Sequence, residues 1–180
     1  GTRRPPQPQL AIDVNEPEKP AFVRAGNGAG EPYVPLPLLE VPYFNVLGGF
    51  TNDGREYAIY LAPGSKTPVP WANVMANANF GTLVTESGLG FTWRGNSQTN
   101  RLMEWHNDPV TEPQSEVIYL RDNDSGTCWT PTPQPIREND AYRARHGQGY
   151  TVYEHNSHAI GQELTVFVPL NDDGTGDPVK

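Results

Sequence analysis

Closely spaced turn chemistry limits the fold of this chain more than any other feature. After residue 43, short segments of alternating or β-branched residues are separated by polar turns: TNDGRE, APGSK, ESGLG, DNDSGT, HGQG and NDDGTG. These turns supply the positive φ angles and side-chain hydrogen bonds that tight antiparallel connections need. Helical periodicity is almost absent, and its one weak instance is WANVMANAN, with Trp71, Val74 and Met75 at compatible spacing. We therefore predict an all-β fold, an antiparallel β-sandwich.

Individual strands and hairpins can be predicted within this pattern. In REYAIYLA, Tyr57, Ile59 and Leu61 fall on one face of a strand, and the residues between them fall on the other. The segment EVIYLRDNDSGTCWTP predicts a hairpin with residues 123–126 at its tip, and AYRARHGQGYTVYEH predicts a second hairpin that turns at 147–149. The stretch GTLVTESGLGFTW predicts two further strands and their turn.

The two ends of the chain differ from this pattern. Nine of the 19 prolines lie within the first 42 residues, where the missing amide donors favour extended conformations. We predict a proline- and glycine-rich linker or wrapping segment over residues 1–42, with its end docked, and a β-sandwich domain over 43–180. The polar turn NDDGTG is followed by the start of another strand, so we expect the domain to continue beyond Lys180 in a longer parent protein.

Composition argues against some partners. The net charge is −8, and Arg3-Arg4 is the one cluster of basic residues, so a phosphate backbone would be repelled and no nucleic acid is expected as a partner. No apolar run approaches the ~20 residues that cross a bilayer, so we expect the segment itself to be soluble. The single cysteine, Cys128, cannot form an internal disulfide and is interpreted as a small strand residue.

Residues that could bind a metal or catalyse a reaction do not form a specific motif. His155 and His158 in EHNSH would point to opposite faces of a strand unless the chain bends between them. We interpret them as ordinary turn or surface histidines, and we expect no metal and no cofactor. Carboxylates that could form an acid–base pair for glycoside chemistry lie beside glycine and proline, where they usually cap turns. We assign no catalytic residue among Glu86, Glu104, Asp108, Glu112 and Glu116.

The segment RGNSQTNRLMEWHNDPV, which follows the predicted strand GFTW, is the best candidate for ligand binding. Sugars present apolar C–H faces and rings of hydroxyl groups, so aromatic side chains combined with amide, guanidinium and carboxylate groups suit them. Two interpretations stay open. In the first, the loop binds carbohydrate. In the second, Trp93 and Trp105 anchor the core while Arg101 pairs with Glu104 or Asp108. The candidate carbohydrate-binding residues are Arg101, Trp105, Asn96, Asn100, Trp93, His106 and Asp108.

Several segments in matching order resemble a known family: FNVLGGFTNDGREYAIYL, PVPWANVMANANFGTLVTESGLGFTWRGNSQTNRLMEWHNDPV, EVIYLRDNDSGTCWTPTPQPIR and YRARHGQGYTVYEH. They are similar to the N-terminal β-sandwich of the glycoside phosphorylases once called glycosyltransferase family thirty-six. The likeness is closest to the corresponding region of bacterial cyclic β-1,2-glucan synthases and to β-1,2-oligoglucan phosphorylases. It covers residues 44–169, and WTPTP and RHGxGY are its most specific motifs.

The resemblance implies a galactose-mutarotase-like supersandwich, here truncated, that is joined in the family to an (α/α)6 barrel. The barrel carries the general acid and the site for inorganic phosphate, so this segment alone is expected to be non-catalytic. In the family the sandwich supports dimerisation, and its loops approach the sugar subsites of the barrel. Asn96, Asn100, Arg101 and Trp105 occupy the matching positions, and Arg101 is the residue that we expect to matter most.

The implied partners are a β-glucan oligosaccharide, the rest of the same polypeptide and a second copy in a homodimer. The proline-rich front resembles the link before this region in the multidomain synthases, which implies a location at the cytoplasmic side of the bacterial inner membrane. Two alternatives stay open. The segment is a stand-alone carbohydrate-binding module, or it is a purely structural dimerisation domain.

Overall fold

Short antiparallel strands make up the described part of the chain. A computed structural model describes residues 35–38 and 40–170, and it contains no helix in these ranges. Consequently no helix in the part described is long and apolar enough to cross a membrane. The strands are β1 Gly48–Phe50, β2 Glu56–Leu61, β3 Ala72–Ala76, β4 Phe80–Thr85, β5 Gly88–Arg94, β6 Leu120–Arg121, β7 Cys128–Trp129, β8 Tyr142–Gly147, β9 Tyr150–Ser157 and β10 Ile160–Phe167.

These strands form two main sheets and one small hairpin. The larger sheet has the order β1-β2-β8-β9-β10, the second has the order β3-β4-β5, and β6 pairs with β7. Every neighbouring pair is antiparallel. The predicted all-β, antiparallel architecture is therefore confirmed, and so are the two hairpins, with Gly147 opposite Tyr150 and Arg121 opposite Cys128.

The core lies between the two sheets and follows from the strand period. Ile59 and Leu61 of β2 are at most 1% exposed and share one face, as predicted. They belong to the same buried cluster as Met75 of β3 and Val84 of β4, so the two sheets pack face to face. The hydroxyl of Tyr153 crosses this interface and donates to the carbonyl of Thr85 at 2.6 Å.

The weak helical prediction for WANVMANAN is wrong, because its central residues form β3. Met75 is buried whereas Val74 is 59% exposed, which is the period of a strand. Asn73 contributes to this choice, since its side-chain amide donates to the carbonyls of Gly147 and Tyr150 at 3.0 and 2.9 Å. Contacts with the other sheet therefore override a marginal local preference.

Polar groups on the outer face of the larger sheet form a continuous hydrogen-bond network. Arg143 makes two hydrogen bonds with the carboxylate of Glu154, at 2.7 and 2.6 Å. Arg145 bridges two strands, because its guanidinium contacts Glu154 at 3.0 Å and Glu56 at 2.8 Å. Tyr150 completes the network by donating its hydroxyl hydrogen to Glu56 at 2.7 Å.

The predictions for the chain ends fall mostly outside the described residues. Within the predicted segment 1–42, residues 35–38 and 40–42 are described. Leu36 is 6% exposed, and its carbonyl accepts a hydrogen bond from the hydroxyl of Tyr60 at 3.3 Å, as expected for a docked end. The predicted turn NDDGTG lies outside the described ranges, and the boundary at residue 43 stays a prediction.

Candidate functional site

The candidate loop leaves the smaller sheet at the end of β5 and folds back along the same strand. Arg101 forms a β-bridge with Trp93, and the amide of Leu102 donates to the carbonyl of Thr92 at 3.0 Å. Further along, Glu116 forms a bridge with Leu89. The segment between these bridges therefore lies beside β5, which otherwise would be an open sheet edge.

The tip of the loop is shaped by its two asparagines. The side-chain oxygen of Asn96 accepts hydrogen bonds from the amides of Gln98 and Thr99 at 2.8 and 3.0 Å. The side-chain amide of Asn100 donates to the carbonyl of Arg94 at 3.0 Å. These bonds are a local alternative to a sheet ladder. Both asparagines thus build the turn, although both residues are exposed.

Three aromatic rings and one guanidinium group pack together beside this turn. The rings of Phe91 and Trp105 are stacked with centroids 4.7 Å apart, and the centroid of the Trp93 ring lies 5.3 Å from that of Phe91. The guanidinium carbon of Arg101 lies 5.4 Å from the centroids of both Phe91 and Trp105. This distance is typical of a cation–π contact, which positions Arg101 against the aromatic pair.

Burial separates the two predicted tryptophans. Trp93 is 9% exposed, and it lies across Gly81 so closely that a β-carbon there would be 2.2 Å from the ring. Trp105 is partly exposed, and Arg101 is exposed. Trp93 is therefore an anchor of the core, whereas Trp105 and Arg101 reach the surface.

The ion pair considered for Arg101 is not formed with either acidic candidate. Its Nε instead donates to the carbonyl of Ser97 at 2.8 Å. Asp108 accepts hydrogen bonds from the Thr111 hydroxyl at 2.7 Å and the Val110 amide at 2.9 Å, and the pKa of Asp108 is lowered, first by the Thr111 bond. Asp108 thus caps a turn.

His106 extends the candidate set to the exposed side of the loop. Its side chain is 66% exposed, and its Nε2 lies 3.9 Å from a carboxylate oxygen of Glu104. This separation is at the outer limit of an ion pair, so the contact holds His106 weakly. The structure thus brings Trp93, Arg101 and Trp105 around Phe91, while Asn96, Asn100, His106 and Asp108 lie along the loop without joining that stack.

Phe91 is a residue that the sequence argument missed. It lies two positions before Trp93 in β5, so the strand period predicts that both rings share a face. That signal was present in GFTW, but nothing in the sequence indicated that Trp105 folds back onto this face.

Thr92 also contributes to the return of the chain, because its hydroxyl donates to Glu116 at 3.0 Å. Burial raises the pKa of Glu116.

The other acidic candidates have structural partners. Glu86 is 1% exposed and accepts hydrogen bonds from the Trp71 amide at 2.7 Å and from the Thr67 hydroxyl. Burial raises the pKa of Glu86. The hydroxyl of Thr85 donates to Glu112. These bonds tie the β4–β5 turn to neighbouring segments.

The histidines of EHNSH occupy two different environments. His158 lies in the β9–β10 turn, as predicted, but His155 is fully buried in β9, so the prediction of a turn or surface position is wrong for His155. It faces the core because it lies opposite Tyr142, whose ring stacks on it at 3.8 Å. In the ranges described, no group of three or more histidine, cysteine, aspartate or glutamate residues is arranged to hold a metal ion.

The fold and the loop define a class of protein first: an all-β, antiparallel sandwich domain with a surface loop that combines aromatic and arginine side chains. The particular family follows from comparison with known families. The family glycosyl hydrolase 94, supersandwich domain, matches residues 55–179. The chain belongs to this family.

Similar proteins carry the same kind of segment within much longer chains. The cyclic β-(1,2)-glucan synthase NdvB of Rhizobium meliloti (strain 1021) is 42% identical over 113 residues, which is 62% of this chain and 4% of that protein. An N,N'-diacetylchitobiose phosphorylase of Vibrio proteolyticus is 30% identical over 129 residues, 70% of this chain and 16% of that protein. A 3-O-β-D-glucopyranosyl-β-D-glucuronide phosphorylase of Paenibacillus borealis is 33% identical over 123 residues, 68% of this chain and 14% of that protein. The chain therefore spans a small part of each relative.

Proposed function

We propose that this chain is a non-catalytic supersandwich domain of a larger carbohydrate-active enzyme, a cyclic β-1,2-glucan synthase or a β-glucan phosphorylase. Its role is to present residues 95–108 to the sugar subsites of an (α/α)6 catalytic barrel elsewhere in the same polypeptide, where inorganic phosphate reacts. The names of the relatives support a glycan as the substrate class. In this proposal the sandwich covers residues 43–180 and continues in the parent protein.

The observation that carries the proposal is the Phe91–Trp105–Arg101 stack. Trp105 has a buried ring on one side and is partly exposed, so its indole can offer an apolar face to the C–H groups of a sugar. The terminal guanidinium nitrogens of Arg101 make no hydrogen bond within the described residues. They are therefore available to sugar hydroxyl groups, while the cation–π contact keeps them beside Trp105.

The remaining candidates support this pair in the proposal. Trp93 packs against Phe91, and Asn96 and Asn100 fix the tip of the loop through the bonds described above. His106 and Asp108 are placed at the rim, where His106 is open to a ligand and Asp108 keeps the following turn in shape. Arg101 and Trp105 are therefore the sharpest tests among the seven.

The test compares Trp105→Ala with Leu102→Ala in the full-length enzyme. Leu102 lies on the same loop and is an apolar residue that is 56% exposed, so its replacement serves as a matched control. We expect Trp105→Ala to reduce kcat/KM for a β-1,2-glucan substrate about 2- to 13-fold, since one aromatic contact contributes about 0.5–1.5 kcal/mol. Equal values for the two variants would contradict the proposed role of the loop.

The isolated 180-residue chain separates this proposal from its alternatives. We expect no phosphorolysis of β-1,2-glucan by the chain alone, and activity there would refute a non-catalytic role. Titration with β-1,2-gluco-oligosaccharides, followed by tryptophan fluorescence, tests the carbohydrate-binding module. Tight binding that Trp105→Ala abolishes would favour that alternative over a loop that matters only beside a barrel.

The proposal includes support of a homodimer by this domain. The loop before β1 displays apolar side chains, with Tyr43 98% and Val46 81% exposed. Asn45 holds this loop in place, because its side-chain oxygen accepts from the Gly48 amide at 2.9 Å and its amide donates to Tyr57 at 2.9 Å. Sedimentation velocity checks the proposed homodimer, and a monomer at every concentration tested would count against it.

A location at the cytoplasmic side of the inner membrane remains an expectation from the resemblance.

A further inference from the structure

Glu138 lies between two histidines at the end of the larger sheet. One carboxylate oxygen is 2.9 Å from Nε2 of His155, and the other contacts Nε2 of His158. Glu138 belongs to the segment between β7 and β8, whereas the histidines belong to β9 and to the β9–β10 turn. The three side chains therefore join parts of the chain that are 17 to 20 residues apart in sequence.

The carboxylate is also part of a closed circuit of hydrogen bonds. The hydroxyl of Ser157 donates to Glu138, and the side-chain amide of Gln162 donates to Ser157 at 3.0 Å. The side-chain oxygen of Gln162 accepts from the indole of Trp129 at 3.0 Å. The ring of Trp129 packs on His158 with centroids 4.3 Å apart. His158 contacts Glu138, which closes the circuit. Trp129 and Ser157 are 4% and 1% exposed, so water competes little for these bonds.

The fully buried His155 and the partly buried His146 face different hydrogen-bond partners. Both ring nitrogens of His155 face oxygens that only accept: the carbonyl of Ala141 at 3.0 Å and the carboxylate of Glu138. The arrangement is satisfied when both nitrogens of His155 carry protons and Glu138 is ionised. His146 faces the carbonyl of Trp71 and the hydroxyl of Thr151, each at 3.0 Å. A hydroxyl can donate, so a neutral His146 satisfies both contacts.

We propose that Glu138, His155 and His158 form a hydrogen-bonded latch that fastens the segment 130–141 to the β9–β10 hairpin. The same segment contacts the β4–β5 turn, because the amide of Gln134 donates to the carbonyl of Ser87 at 2.9 Å. The latch thus joins the hairpin of one sheet to the turn of the other. Removal of the carboxylate leaves a buried ring nitrogen of His155 without its partner and loosens this corner of the domain.

Other ionisable groups surround the latch. On β8, Tyr142 stacks on His155, and burial raises the pKa of Tyr142 to about 12, so it stays neutral. The guanidinium carbon of Arg137 lies 5.8 Å from the Tyr142 ring, and Asp140 adds a negative charge to the same neighbourhood. On β10 the residue opposite His155 is the uncharged Gln162. Glu138 is thus the carboxylate in hydrogen-bond contact with His155.

The carboxylate of Glu138 makes the latch sensitive to acid. Burial would raise the pKa of Glu138, but the hydrogen bonds from Ser157, His155 and His158 outweigh it and lower that pKa. The contribution of Glu138 is therefore present above its unfolded pKa, ordinarily about 4.3, and is lost as the pH falls through the folded pKa. The latch is therefore complete near neutral pH and weakens in acid.

Nitrogen NMR of the imidazole rings tests the contacts of Glu138 directly. We expect Glu138→Gln to shift the ring-nitrogen signals of His155 and His158, which Glu138 contacts. The signals of His146 should stay unchanged, because that ring contacts Trp71 and Thr151 instead. Unchanged His155 and His158 signals in the folded variant would overturn the proposal.

Thermal unfolding across pH tests the consequence. Between about pH 7 and pH 3, which bracket the ordinary glutamate pKa of about 4.3, we expect the Tm of the wild type to fall relative to that of Glu138→Gln by about 2–4 °C. The matched control is Glu163→Gln, on exposed β10, which should keep the wild-type profile. Parallel profiles for the wild type and Glu138→Gln would overturn the latch.

Discussion

Gly81→Ala is the substitution that most directly tests how the candidate loop is supported. Gly81 lies opposite Trp93 in the β4–β5 ladder. An added β-carbon would lie 2.2, 2.4 and 2.9 Å from three atoms of the indole ring, far inside van der Waals contact. The ring therefore has to leave its position. Because Trp93 packs on Phe91, and Phe91 carries Trp105, the displacement reaches the surface of the loop.

The magnitude follows from the area that Trp93 buries. A tryptophan buries about 150–250 Å², which at about 25 cal/mol per Å² corresponds to an upper bound of about 4–6 kcal/mol. Partial repacking recovers some of this, so we expect Gly81→Ala to lower the free energy of unfolding by about 2–4 kcal/mol. In a Trp93→Ala background the clash is absent. There the same change should be neutral or stabilise by about 0.5–1 kcal/mol, since alanine is favoured over glycine in a strand interior.

Urea unfolding followed by far-ultraviolet circular dichroism measures all four corners of this cycle without relying on tryptophan emission. The expected coupling free energy between the two positions is about 2–5 kcal/mol, with similar m-values in each variant. An equal cost for Gly81→Ala in both backgrounds would refute the reasoning, because it would show that the indole does not occupy the space over Gly81.

Two further predictions concern buried charge and pH. Burial lowers the pKa of His146, so its stabilising contribution is complete above the unfolded pKa of about 6.5 and is lost as the pH falls. We expect His146→Gln to flatten the fall in Tm between pH 7 and pH 5, and an unchanged slope would contradict this. Arg145→Met removes the bridge between Glu56 and Glu154 and should cost about 1.5–3 kcal/mol in urea unfolding. Arg55→Met, whose side chain is 83% exposed, serves as the control and should change stability by less than about 1 kcal/mol. Equal losses would contradict the importance of the network.

The strand pattern was predictable because it depends on local chemistry. Glycine and asparagine in the turns and the alternation in REYAIYLA act over a few residues, and both hairpins were found where these signals predicted them. The prediction failed at WANVMANAN, where the deciding hydrogen bonds of Asn73 come from residues 74 and 77 positions away. It failed again at His155, whose burial depends on which face of β9 meets the other sheet.

The candidate loop was only half predictable for the same reason. Its composition indicated carbohydrate contact, and that assignment remains a prediction. The separate roles of its two tryptophans could not be derived from composition, because both occur in similar polar surroundings. The difference arises from Gly81, which leaves room for Trp93, and from the return of the chain that brings Trp105 onto Phe91.

The sequence by itself determined the all-β class, the position of most turns and the membership of the family, since these depend on residue periodicity and on motifs such as WTPTP. Tertiary structure decided which faces became core, that Trp93 is covered while Arg101 and Trp105 reach the surface, and that Glu138 meets two histidines. These contacts join residues far apart in the chain. Their energies depend on the register and packing of whole sheets, which no short segment encodes.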